Sequence, residues 1–320
     1  MSMIYPISAP IPDSSEDLVG FLNEAGDMVI PPCYAGGSYF FEGKASVIDR
    51  SSGRSGFIDS LGNVVIPFQF QGLGRFKDGL CSLGSGYIDH SGAWFITPRF
   101  LLSGSFSEGR AVASDDGERI GFIDLAGSFV IAPTFESCRS FSGGLAAVRL
   151  DGRWGYIDHR GEIRVPLAFE GQTALAFHDG VAGVQVDGRW GFIDERGGFV
   201  LKPTYDGVRS FAEGHAPVQC GRKWGLVRLD GTQAADYQFD ELGRLHEGIA
   251  PATVDGKAGF IFADGSWAIP PAFDRCYRFF GRLAVARKGK VWCYLLRGGG
   301  VVWTSEPGAH VQSPPVPFVV

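Results

Sequence analysis

Apolar residues in this chain come in short runs, often alternating with polar ones, and Gly, Asp, Asn and Pro break the runs at regular intervals. The stretch from Phe141 to Glu170, FSGGLAAVRLDGRWGYIDHRGEIRVPLAFE, shows the pattern most completely. Leu145 to Leu150 reads as a short apolar strand, Asp151-Gly152 as a tight hairpin turn, and Arg153 to Asp158 as a second strand of aromatic and aliphatic residues. After a turn ending at Gly161, a third strand begins at Glu162 and is expected to stop at Pro166. No unit holds about ten residues with helical spacing, so the class is all-β.

The pattern recurs. Gly20, Gly56, Gly86, Gly121, Gly155, Gly191, Gly225 and Gly259 stand at the same step of the second strand, and Cys293 takes the ninth place. Their separation is about 34 residues, the mark of a repeat protein. Nine tandem three-stranded units follow.

Two acidic series accompany the glycines. Asp59, Asp89, Asp124, Asp158 and Asp194 each precede a turn glycine by three positions, where a carboxylate can accept a backbone N–H. Glu42, Asp78, Glu108, Asp179, Glu213 and Glu247 immediately precede another glycine and are also read as turn residues. Two residues past that glycine stands something small, in Ala45, Cys81, Ala111, Ala146, Ala182, Ala216 and Ala250, which predicts close approach of neighbouring units. The pleat puts Trp154 and Tyr156 on one face and Gly155 and Ile157 on the other. Both faces are apolar, so each unit must stack on its neighbours.

The segments RWGYID, RWGFID and KWGLVR resemble the signature of bacterial WG-containing repeat proteins. The pair is intact at Trp154-Gly155, Trp190-Gly191 and Trp224-Gly225, while Val19, Ser55, Ser85, Ile120 and Ala258 hold the tryptophan position elsewhere. The resemblance covers roughly residues 18 to 303. It implies scaffolding or binding and no shared catalytic activity.

Two architectures suit such a unit: an open, superhelical, solenoid-like array, or a closed β-propeller. Propeller blades usually have four strands. The first unit supplies its own opening strand from Met3 to Ala9 and the last its own third strand, VVWT, so no split blade closes a ring. The expectation is an open array over residues 1–303 with atypical end units, followed by a proline-rich tail over 304–320.

Composition narrows the function. A net charge of −6 without a Lys/Arg run argues against nucleic acid, and no uninterrupted apolar stretch is long enough to span a membrane. The start of the chain lacks the features of a signal peptide. Six scattered cysteines without a CxxC pair are expected as reduced thiols, in keeping with a cytoplasmic location. Six histidines show no metal spacing, and no nucleophile elbow or phosphate loop occurs, so neither enzyme activity nor a cofactor or metal is expected.

The expected function is a non-catalytic scaffold that binds another macromolecule, foremost a protein, with an antitoxin or immunity role as one form. Residues that break the repeat are the candidate contacts: Arg99, Leu101, Leu102, Tyr237, Arg244, Tyr277 and Arg278, placed in the connections after the third strands. The alternatives are a carbohydrate-binding module with exposed tryptophans and, behind it, a glycoside hydrolase using paired carboxylates.

Overall fold

The computed structural model describes residues 3–10 and 17–305, and every regular element in them is a strand. Residues 306–320, which make up nearly all of the expected tail, lie outside the described residues. No helix among the described residues is long and apolar enough to cross a membrane. The chain forms two compact units, Met1–Arg99 with Phe279–Val320, and Phe100–Arg278.

In the second unit, strand Leu145–Leu150 pairs antiparallel with Arg153–Asp158, Leu145 opposite Asp158 and Leu150 opposite Arg153. Asp151 and Gly152 join them with φ of 48° and 75°, as a hairpin turn with two left-handed residues requires. The third strand runs Ile163–Phe169 and is not stopped at Pro166. Val165 lies opposite Tyr156, but Phe169 lies opposite Trp154, so four steps on the third strand face two on the second. Pro166 sits in this bulge, where its missing N–H breaks no ladder bond.

The unit also has a fourth strand. Ser137–Cys138 pairs with Arg149 and Val148, and the flanking Glu136 and Arg139 donate their N–H groups to the carbonyls of Arg149 and Ala147 at 2.9 Å. Six of the eight sheets are four-stranded. The connection between units thus runs antiparallel along the next first strand. Short pairing and mixed Ser, Cys and Arg composition leave it without a period-two signal.

Nine repeats occupy these eight sheets because Met28–Gly37 is one continuous strand. Its Met28, Ile30 and Tyr34 pair with Asp17–Asn23, and Tyr34, Gly36 and Gly37 pair with Ala45–Asp49, giving one six-stranded sheet.

The first strand meets residues of the last repeat within the first unit. The ring of Tyr5, in the first strand Ile4–Pro10, packs edge-on against Tyr294 at 5.9 Å between centroids. Tyr294 Oη donates to the carbonyl of Pro6, Tyr5 Oη accepts the Arg282 N–H at 3.1 Å, and Tyr39 packs on Phe280 at 4.8 Å. The open array of three-stranded units is therefore corrected to a closed β-propeller of mainly four-stranded sheets. The closing contacts are side chains between complete first and last sheets, so no split blade is needed.

Stacking proceeds as both apolar faces demand. Trp154, Tyr156 and Val165 pack with Ala182, Val184 and Ile193 of the following repeat, while Ala146, Val148 and Ile157 pack with Phe122, Ile131 and Phe135 of the preceding one. Phe141, Phe177 and Phe211 recur once per repeat in these layers and are buried. Tyr156 meets Phe177 edge-on at 4.8 Å and donates its hydroxyl to the Leu175 carbonyl at 2.7 Å. Ala45, Cys81, Ala111, Ala146, Ala182, Ala216 and Ala250 are all buried, as close approach requires.

Candidate functional site

Most carboxylates of both series are engaged by backbone. Asp59 Oδ1 accepts the N–H groups of Leu61 and Asn63 at 2.9 Å, and Asp194 Oδ1 those of Arg196 and Gly198 at 2.9 and 2.8 Å. The side chain of Asn63 on Asp59, and the Ser91 hydroxyl on Asp89, hold these carboxyls below the usual aspartate range.

The second series links one repeat to the next. Its acids take left-handed φ, 52° at Asp179 and 55° at Glu213, in a turn each shares with the following glycine. Four of the six, Glu42, Glu108, Asp179 and Glu213, then reach the equivalent turn one repeat on. Gly79 donates its N–H to Glu42 at 3.2 Å, Gly144 to Glu108 at 3.1 Å, Gly214 to Asp179 at 2.8 Å and Gly248 to Glu213 at 2.8 Å. Such charge-assisted bonds tie successive turns into a row.

Two histidines brace this row. His90 stacks on Phe76 at 4.3 Å and brings Nε2 to 3.2 Å from Glu42. His159 repeats the arrangement on Phe141 at 4.2 Å, with Nε2 3.4 Å from Glu108. Both roles are architectural. Among the described residues no group of three or more His, Cys, Asp and Glu side chains is placed to hold a metal ion.

Three arginines of the second unit stand shortly before such turns. Arg244 and Arg278 occupy equivalent places before the turns 246–249 and 280–283, and Arg209 stands two residues before Phe211 in the preceding repeat. Burial first, then the guanidiniums of Arg278 and Arg209, lower the pKa of Arg244, and Asp179 acts in the opposite direction. His178 is held below the usual histidine value by burial and then by Arg244, against Asp179. Arg209 also lies over the ring of Trp224, 5.2 Å from its centroid. Nδ1 of the in-phase His246 is buried without a hydrogen-bond partner among the described residues.

Of the residues singled out from the sequence, Arg278 lies within electrostatic reach of Arg244 and lowers its pKa. Arg99 and Leu101 are exposed and outside the strands, and Leu102 opens the short strand Leu102–Ser103, opposite Ser114. Tyr237 is not in a connection: it lies within the third strand Gln233–Phe239, where burial raises its pKa. Tyr277 is half-buried and follows the strand Arg275–Cys276. Arg209 was not singled out, because Arg139 stands in phase with it and makes it look like part of the pattern. Their environments differ: Arg139 Nε donates to the Ala174 carbonyl at 2.9 Å, and its guanidinium also reaches Thr173 Oγ1.

The signature tryptophans also differ from one another. Trp154 is 2% exposed, whereas Trp190 and Trp224 are half-buried. Their glycines share one environment, since an added Cβ at Gly155, Gly191 or Gly225 would lie 2.7 Å from the carbonyl oxygen of Val165, Leu201 or Ala235 in the bulged third strand.

Comparison with known proteins agrees with this geometry. Over 95% of this chain and 96% of the other, the fold matches a crystal structure described as the eukaryotic initiation factor, with a TM-score of 0.65 at 8% identity. That likeness is one of fold alone. Hsv2 structures from Kluyveromyces lactis (TM-score 0.40, 10% identity, 60% of this chain and 72% of that one) and Kluyvelomyces marxianus (0.43, 8%, 68% and 87%) are more distant. No curated protein matches the sequence. A model of the WG containing repeat matches seven times, at residues 56–82, 86–118, 120–154, 154–190, 190–224, 224–257 and 259–292. Spread over most of the chain, these matches show that the protein belongs to the WG containing repeat family.

Proposed function

We propose that this protein is a non-catalytic repeat scaffold that binds another protein through residues that interrupt the repeat. The observation that carries the reading is the adjacent pair Leu101 and Leu102, 72% and 39% exposed at the start of a two-residue strand. Adjacent exposed leucines where a short strand begins suit an apolar side chain or an extended segment of a partner better than a small polar ligand. The engagement of the repeated acids in turns also favours binding over hydrolysis by paired carboxylates.

A photo-crosslinking residue at Leu101, introduced into the full chain and activated in the native host, tests this. One protein captured at position 101, and absent when the same group replaces the exposed Glu195, supports the scaffold and names its partner. Equal labelling at both positions, or none, overturns it. A toxin-like partner would give the scaffold an antitoxin or immunity role.

Carbohydrate recognition is the second reading, favoured by Trp94, 41% exposed, and by the half-buried Trp190 and Trp224. Titration with soluble glycans should then shift tryptophan emission, and an unchanged spectrum counts against it.

A further inference from the structure

The brace at His90 holds more than a histidine and an acid. Phe76, 1% exposed, stacks on the imidazole with 13° between the ring planes and so fixes it. On one side of the ring Nε2 faces Glu42 at 3.2 Å, and on the other Nδ1 lies 3.0 Å from Lys44 Nζ. An ammonium has donors and no lone pair, so Nδ1 is the acceptor and the proton of the neutral ring sits on Nε2, aimed at the carboxylate. Lys44 Nζ also stands 5.5 Å from the centroid of the Phe76 ring.

The second brace, at His159, lacks this arrangement. Arg110 takes the place of Lys44 there and its Nη1 donates to the Gly109 carbonyl at 3.0 Å. A guanidinium keeps its proton, so it offers no nucleophile. Lys223 and Lys257 differ in another way, since each Nζ donates to a carboxylate, Asp240 or Asp274, at 2.7 Å. Such a partner favours the charged amine. Lys44 instead meets a base, and the base meets a carboxylate, in the order nucleophile, general base, orienting group. The side chains of His90 and Glu42 are 41% and 36% exposed, which leaves the group open to a reagent from solvent.

We propose that Lys44 is a site of self-acylation by thioesters, with His90 as the base that takes its proton and Glu42 as the positioning residue. One proton of the ammonium passes to Nδ1, and the imidazolium so formed is stabilised by Glu42 at Nε2. The freed amine pair attacks the thioester carbonyl carbon, a C–N bond forms and the C–S bond breaks. A second amine proton leaves with the sulfur as a thiol, and His90 returns its proton to water. The product is a neutral amide, which can no longer act as a cation toward Phe76. Glu42 also accepts the Gly79 N–H, so the modification falls where one repeat is tied to the next. The proposal is independent of the protein-binding reading, since it uses neither Leu101 nor Leu102.

Treatment of the full-length protein with the acetyl thioester of N-acetylcysteamine at about pH 8 tests it. The reagent is uncharged and is not repelled by Glu42. After hydroxylamine has removed acyl groups from cysteines, mass spectrometry of the peptides gives the acetylation rate of each lysine. Lys44 is half-buried and Lys290 is exposed, so accessibility alone would favour Lys290. Lys44 is nevertheless expected to react at least about tenfold faster, a modest share of what a positioned base supplies. His90→Asn leaves an amide but no base beside Lys44, and should bring its rate down to that of Lys290 or below. Glu42→Gln should lower the Lys44 rate while leaving that of Lys290 unchanged. Cys81, which is fully buried, reports folding in each variant by staying unreactive to a thiol reagent. Should His90→Asn expose Cys81, Glu42→Gln carries the comparison. A Lys44 rate no higher than that of Lys290, or an excess that survives His90→Asn in a folded protein, overturns the proposal.

Discussion

A side chain on Gly155 would place its Cβ 2.7 Å from the carbonyl oxygen of Val165 and 2.9 Å from the Leu167 nitrogen. Real Cβ atoms do not approach backbone this closely, so the bulged third strand makes glycine obligatory at the second place of the Trp-Gly pair. The last repeat provides the contrast: Cys293 pairs directly with Thr304 and Tyr294 with Trp303, without the bulge at that point, and a side chain is accommodated. Gly155→Ala is therefore expected to destabilise the protein by about 1–3 kcal/mol, the usual range for overpacking. Cys293→Ala should cost less. Denaturant midpoints of the two variants check the difference.

Tyr156 should show a smaller, separable effect. Its buried hydroxyl satisfies the Leu175 carbonyl, and Tyr156→Phe keeps the ring packing on Phe177 while removing that bond. A loss of about 1 kcal/mol is expected. At Phe192, which holds the equivalent place one repeat on, no hydroxyl bond exists to lose, so Phe192→Tyr should bring no matching gain.

The aspartate turns set the acid response. Hydrogen bonds from the Ser51 and Ser52 hydroxyls lower the Asp49 pKa to about 2, and Asp59, Asp89, Asp230 and Asp264 are lowered by side-chain hydrogen bonds from Asn63, Ser91, Thr232 and Ser266. A lowered folded-state pKa means the unfolded chain takes up protons first. The stability these groups confer is fully present above their ordinary value near 3.8 and is lost as pH falls through the folded value. Asp49→Asn should flatten the part of the stability–pH curve that extends down to about pH 2, which denaturation at a series of pH values would reveal.

Thiol reactivity should divide the cysteines. Cys33 and Cys220 are exposed, whereas burial pushes Cys81 up to about 12 and Cys293 up to about 11, and raises Cys138 further. An aromatic disulfide reagent at pH 8 is expected to label Cys220 first and then Cys33, whose pKa burial also raises. Cys81, Cys138 and Cys293 should react only on unfolding. Mass spectrometry of the labelled peptides reads the order.

Much of the architecture was legible in the sequence because it is local and repeated. The hairpin at Asp151-Gly152 and the small buried residues such as Ala146 follow from patterns within one repeat. Pro166 misled because a proline normally stops a strand; only the pairing register shows that it lies in a bulge. The fourth strand at Ser137–Cys138 has too few paired residues to leave a period. Closure was hidden for another reason, since Tyr5 and Tyr294 stand far apart in sequence and no local signal connects them. For the candidate site, Arg244 and Arg278 stood out as breaks in the pattern, but Arg209 resembled the in-phase Arg139, and only their surroundings separate them.

Closure is the claim on which the rest of the architecture depends, and hydrogen exchange read by mass spectrometry tests it most directly. Tyr5→Ala removes the ring that packs on Tyr294 and the hydroxyl that accepts the Arg282 N–H. In a closed propeller the amides of Leu283–Lys288 and Val291–Leu296 should then exchange faster, together with those of Ile4–Pro10. Faster exchange confined to Ile4–Pro10, with the last sheet as protected as in the wild type, would contradict closure.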